Sequence, residues 1–144
     1  TVNLDSMKGS VTVYDFIFTT CSGICPIMSR NMAAVTERVP DDAPVKFVSI
    51  TVDPATDTPP RLKEYAQRFH ARAGWTFLTG KKENVDWALY KLGQYVEAKD
   101  DHKTIFIVGK EPTGLWKKAF GMAKAEELIA IVTSVVEDKG EGAK

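Results

Sequence analysis

Val11-Thr-Val-Tyr-Asp-Phe-Ile-Phe18-Thr-Thr-Cys21-Ser-Gly-Ile-Cys25-Pro26 decides the fold. Its first eight residues are mostly apolar, β-branched or aromatic, a run too short for a helix, and they predict a buried strand. Beyond Pro26, the residues Ile27, Met28, Met32, Val35 and Val39 recur at near-helical spacing and predict a helix over about 26–38. Pro26 suits the first turn of that helix, where a missing N–H costs nothing. A strand that passes through a short cysteine-bearing turn into a helix is the opening of an α/β sheet.

Outward from this unit the pattern repeats. Val45-Lys-Phe-Val-Ser-Ile-Thr-Val52 reads as a second buried strand, bounded by Asp53-Pro54. Thr58 and Pro59 occupy the N-cap and first-turn positions of a second helix over about 58–72. Trp75-Thr-Phe-Leu78 is a short strand, and 83–92 a third helix ended by Gly93. Residues 104–108 and 115–120 flank Pro112-Thr113-Gly114 and predict a hairpin, and 125–137 is a final amphipathic helix. A further short strand fits between the third helix and the hairpin. Strands alternating with helices call for a central sheet covered on both faces. The expected fold class is therefore α/β and thioredoxin-like: a central mixed sheet flanked by helices, with a C-terminal β-hairpin and helix. Residues 1–138 are expected to form one domain, with 139–144 a flexible tail.

Composition narrows the function. The chain has 144 residues, enough for one core and too few for two ordinary domains. Lys+Arg and Asp+Glu both number 19, so the formal net charge is zero, which argues against a nucleic-acid partner. The dense basic spot at Lys117-Lys118 beside Trp116 reads as a solvated edge. No apolar run approaches the ~20 residues that span a bilayer. The opening Thr1-Val2-Asn3-Leu4 has no signal-peptide character, and a start this close to the first strand suggests that further segments lie upstream.

The two cysteines, Cys21 and Cys25, sit in one short motif. Four positions apart they close almost no loop, so they point to chemistry rather than to stapling. Residues at this spacing share a helix face, and a helix N-terminus favours the thiolate. Thiolates attack disulfides and bind soft metals such as copper(I) or zinc. A redox pair and a metal site are both open on these residues alone. A structural zinc site would need both His70 and His102 to converge on the pair. His70 lies among charged neighbours on a predicted helix and reads as a surface residue. His102, in Asp100-Asp101-His102-Lys103, precedes a strand, where functional loops gather; a histidine in an acidic surface turn fits that position as well.

Other candidates have plainer readings. Met28 and Met32 read as core rather than as copper ligands. Trp75, Trp87 and Trp116 read as packing, Trp116 with a partner surface as its other reading. Asp57 is expected to shape the turn and cap the second helix. Asp53 divides evenly between that kind of role and an action on the nearby dithiol.

Phe16-Ile-Phe-Thr-Thr-Cys21-x-x-x-Cys25-Pro26 resembles the signature of the SCO/SenC family. So does Val52-Asp53-Pro54-Ala-Thr-Asp57-Thr58-Pro59, followed by Leu62, Tyr65 and Ala66, then Gly74-Trp75-Thr-Phe-Leu-Thr-Gly80 and Asp101-His102. The resemblance implies a domain that binds copper, as Cu(I) or Cu(II), through Cys21, Cys25 and His102; a monomer is expected. It implies delivery of copper to the dinuclear copper site of cytochrome c oxidase, or reduction of that site's cysteines. It further implies a location on the periplasmic face of a bacterial inner membrane, or on the mitochondrial inner membrane facing the intermembrane space, held by an anchor outside these residues. The competing reading is a thiol–disulfide oxidoreductase using Cys21 and Cys25 without metal.

Overall fold

A computed structural model describes residues 11–20, 24–39, 45–71, 74–91, 105–110, 115–120 and 124–136. The elements in chain order are β1 (Val11–Ile17), α1 (Ile24–Arg38), β2 (Val45–Thr51), α2 (Pro59–Arg68), β3 (Trp75–Leu78), α3 (Lys82–Lys91), β4 (Ile105–Lys110), β5 (Leu115–Phe120) and α4 (Ala125–Val136). The five strands form one sheet in the order β3-β2-β1-β4-β5. β1 pairs in parallel with β2 and β2 with β3, whereas β4 runs antiparallel to both β1 and β5. This is the expected thioredoxin-like α/β arrangement with its C-terminal hairpin and helix. The extra strand before the hairpin, the 112–114 turn, Gly93 and the 139–144 tail lie outside the described residues.

β1 is the central strand, and all seven of its residues are buried. That burial on two faces explains why its sequence is a continuous apolar run rather than an alternating one. Alternation sorts the side chains into two cores. Val11, Val13 and Ile17 join Met28, Met32 and Val35 of α1, Leu62 and Tyr65 of α2, and Leu128, Val132 and Val135 of α4. Tyr14 and Phe16 face the other way, onto Val48, Ile50 and the α3 residues Val85 and Leu89. Two parallel crossovers in the same direction put α1 and α2 on one face, and the return from β3 to β4 puts α3 on the other. Met28 and Met32 are fully buried, as their spacing predicts.

Three expectations need correction. α2 ends at Arg68, not near residue 72, because Phe69 turns into the core and His70 takes a left-handed conformation (φ 53°). The His70 N–H then bonds the Gln67 carbonyl and the Ala71 N–H bonds the Ala66 carbonyl, the pairing that closes a helix C-terminus. Thr58 is the N-cap of α2 by position, but its side chain makes no capping hydrogen bond. Trp87 does not pack in the core: it is 63% exposed, since Val85 and Leu89 take the buried stripe of α3, and its ring carries Lys91 Nζ at 4.6 Å.

Trp116 lies across Gly109 on the neighbouring strand and stacks on Tyr14, ring centroids 6.2 Å apart. A Cβ at Gly109 would fall 2.3 Å from the indole ring, so glycine is required by the close approach. Gly109→Ala is expected to push the ring off Tyr14 and cost about 1–2 kcal/mol. Denaturant unfolding, with a red shift in tryptophan emission, checks this.

Candidate functional site

The cysteine motif sits where β1 gives way to α1. Parallel strands β1 and β2 end at the same edge of the sheet, and Ile17↔Thr51 is the last pair in register. From Ile17 the chain passes Phe18 and turns at Thr19-Thr20, and α1 begins at Ile24. Cys25 is thus in the first turn of α1, followed by the half-buried Pro26. The free N–H groups and positive dipole end of that turn favour a thiolate in it. Cys21 and His102 lie outside the described residues.

The segment leading to Cys21 is fixed by a residue far away in sequence. Asp57 is fully buried, and its carboxyl oxygens accept hydrogen bonds from the Thr19 N–H at 3.1 and 3.2 Å, from Thr19 Oγ1 at 2.5 Å and from Thr51 Oγ1 at 2.6 Å. Thr51 Oγ1 accepts in turn from the Asp53 N–H at 2.9 Å. The Asp53 carbonyl accepts from the N–H groups of Thr56 and Asp57, which folds 53–57 into a compact turn. Asp57 is structural, as its position suggests, but it does not cap α2. It ties the end of β2 to the chain two residues before Cys21. The functional signal missed in the sequence is Thr19, a hydroxyl residue whose partner is 38 positions away. Asp53 itself is half-buried in that turn.

A second polar chain runs beneath α1 on the same face of the sheet. The Trp75 Nε1–H donates to Ser49 Oγ at 3.0 Å, and the Ser49 hydroxyl donates to Asp15 Oδ1. Asp15 and Ser49 are register partners on β1 and β2. Asp15 is fully buried, and its Oδ2 has no hydrogen-bond partner. Burial pushes its carboxyl up to about 7 against the opposing effect of the Ser49 hydrogen bond. Nothing in the residue order marked Asp15 as special. Ser29 of α1 and Tyr65 of α2 add a further buried hydrogen bond at 2.7 Å.

Among the described residues, no group of three or more His, Cys, Asp and Glu side chains is placed to hold a metal ion. No helix among them is long and apolar enough to cross a membrane. His70 is exposed at the end of α2, consistent with a surface residue.

The family model described as SCO1/SenC matches residues 1–137. A Bacillus subtilis relative, named SCO1 protein homolog, is 38% identical over 85 residues, 58% of this chain and 44% of its own length. The chain spans about half the length, or less, of the curated relatives it matches. Among solved structures, BsSco, a member of the Sco family of cytochrome c oxidase assembly proteins in which a disulfide switch was identified, superposes with a TM-score of 0.79 at 29% identity, covering 96% of this chain and 86% of that one. The copper-bound ScoI of Bradyrhizobium japonicum gives a TM-score of 0.75 at 25% identity, covering 91% and 88%.

Proposed function

Because the chain belongs to the SCO1/SenC family, whose model matches residues 1–137, we propose that it is a copper metallochaperone that holds one copper ion through Cys21, Cys25 and His102. The observation that carries this reading is the position of the Cys-x-x-x-Cys-Pro motif. It falls between the edge of the sheet and the first turn of α1, with Cys25 inside that turn. β4 runs antiparallel to β1, so the chain enters β4 at the edge where β1 ends, and His102 precedes Ile105 by three positions, a span of at most about 11 Å.

The donor set suits the cargo. Two thiolates are soft ligands for copper(I), and an added imidazole accommodates copper(II). Binding displaces the thiol protons, so affinity falls as pH drops. A site with few ligands at a sheet edge can surrender its ion to a partner that offers more. In this proposal the partner is the copper-site subunit of cytochrome c oxidase, met on the oxidising side of the membrane. A second reading is favoured by the disulfide switch identified in BsSco: Cys21 and Cys25 pass two electrons to a client disulfide, which becomes two thiols as Cys21–Cys25 becomes the disulfide. An oxidised pair cannot hold copper, so the two activities exclude each other at any one moment.

Anaerobic titration of the reduced protein with copper(I), then with copper(II) under absorption, tests the proposal. One copper per chain is expected, with a thiolate-to-copper(II) band that is lost in Cys21→Ala, Cys25→Ala and His102→Ala. His102→Ala should retain reduction of a test disulfide. Absent or non-stoichiometric binding, alongside ready disulfide reduction, would replace the chaperone with the oxidoreductase.

A further inference from the structure

The solvent side of α1 and the C-terminal end of α2 enclose a groove of about 530 Å³ that starts at Pro26, the residue after Cys25. Ala33, Ala34 and Phe69 give it an apolar floor, and Arg30, Arg68 and His70 stand exposed along it with Glu37 as its one acid. The Arg30 guanidinium makes no ion pair or hydrogen bond among the described residues. Arg68 is held over the Tyr65 ring, its guanidinium carbon 5.7 Å from the centroid. Two guanidinium groups over small apolar side chains make a surface for a carboxylate-bearing chain, since arginine forks match carboxylates and the alanines leave room for a backbone.

A second observation concerns His70. Position 70 is the left-handed residue that ends α2, where glycine is the unstrained choice. A histidine there bears a conformational cost, and its side chain lines this groove. A strained residue whose side chain lines the groove points to a use for that side chain.

We propose that this groove docks an acidic, extended peptide segment of the protein that exchanges copper or disulfides with the Cys21–Cys25 pair. The partner's identity as an exchange partner rests on the function proposed above; the docking itself does not. An extended segment lying along α1 toward Pro26 runs toward the chain position of the cysteine motif. The two arginines then select acidic over basic or neutral clients and raise the encounter rate at low salt.

A fluorescent dodecapeptide of alternating Glu and small apolar residues, without cysteine, is the probe, with its Gln counterpart as control. Anisotropy titrations of the wild-type chain are expected to show at least about tenfold tighter binding of the Glu peptide at low salt. The exposed double variant Arg30→Glu/Arg68→Glu should lose that preference while it still takes up one copper per chain. His70→Gly should weaken the peptide and raise the thermal midpoint together, an opposition that a purely structural residue would not produce. Equal binding of the two peptides, or a double variant that keeps the preference, would overturn the proposal. So would self-association of the chain that the double variant abolishes, because the occupant would then be a second copy. Peptide binding that persists in a chain that fails to take up copper supports the groove and counts against the copper reading alone.

Discussion

Asp57→Ala is expected to lower the unfolding free energy by about 3–5 kcal/mol. The carboxyl group is fully buried and serves three donors: the Thr19 N–H, the Thr19 hydroxyl and the Thr51 hydroxyl. Truncation removes all three bonds and takes the acceptor from the buried Thr51 hydroxyl and from the half-buried Thr19. Each stranded group costs about 1–3 kcal/mol, so the sum lies well above that of an ordinary surface change. Asp57→Asn should recover part of the loss, because one of its oxygens is kept. The consequence reaches beyond stability, since Thr19 stands two residues ahead of Cys21. Freed from Asp57, that segment must be ordered at the moment of metal binding, so copper affinity should fall while stoichiometry is kept. Guanidinium unfolding curves and a competitive copper(I) titration of both variants check the two halves. An Asp57→Ala variant as stable as the parent would show that the Thr19–Thr51 crosslink is not what holds the loop.

Asp15 acts in the opposite direction. Its carboxyl titrates near 7 in the folded chain, against 3.8 for an unperturbed one, because burial disfavours the charge. Between those values the folded state keeps the proton that the unfolded state has lost. Stability therefore declines as pH rises from about 4 through 7, and the accumulated penalty above pH 7 is about 4 kcal/mol. Asp15→Asn holds a neutral group of the same shape and can still accept from Ser49. It should match the parent near pH 4 and exceed it by several kcal/mol at pH 8, with the downward slope between these pH values greatly reduced. Urea midpoints measured across pH 4–8 for parent and variant decide the matter; parallel curves would mean that Asp15 is ionised throughout.

These two aspartates also mark where the sequence ran out. Hydrophobic run lengths and caps predicted every strand and helix among the described residues, because burial on two faces or on one stripe leaves a period that can be read directly. Met28 and Met32 were legible as core by the same logic. Trp87 was not, since a bulky aromatic reads as buried until the neighbouring Val85 and Leu89 claim the inner face of α3. The end of α2 is not legible in the sequence, because His70 takes a conformation whose usual signature is glycine. The Cys21–Cys25 spacing marks both residues as candidates, and the fold puts the backbone of Cys25 in the first turn of α1. Asp57 was seen as structural, but its partner Thr19 is distant in sequence, and such pairings follow from strand register rather than local pattern. Asp15 was hidden inside an apolar strand, where only its Ser49 and Trp75 neighbours give it meaning.

The hairpin strand β5 has a consequence for behaviour in crowded solution. Among the described residues it borders the sheet, and Lys117 and Lys118 project from opposite faces of it, the first anchored to Ser134 Oγ on α4 at 2.8 Å and the second exposed. The opposite border among the described residues, β3, is four residues long. Two identical chains approaching along β5 would bring like charges together above and below the incipient ladder. Open-ended growth of one sheet into the next is thereby opposed at one border by charge and at the other by brevity.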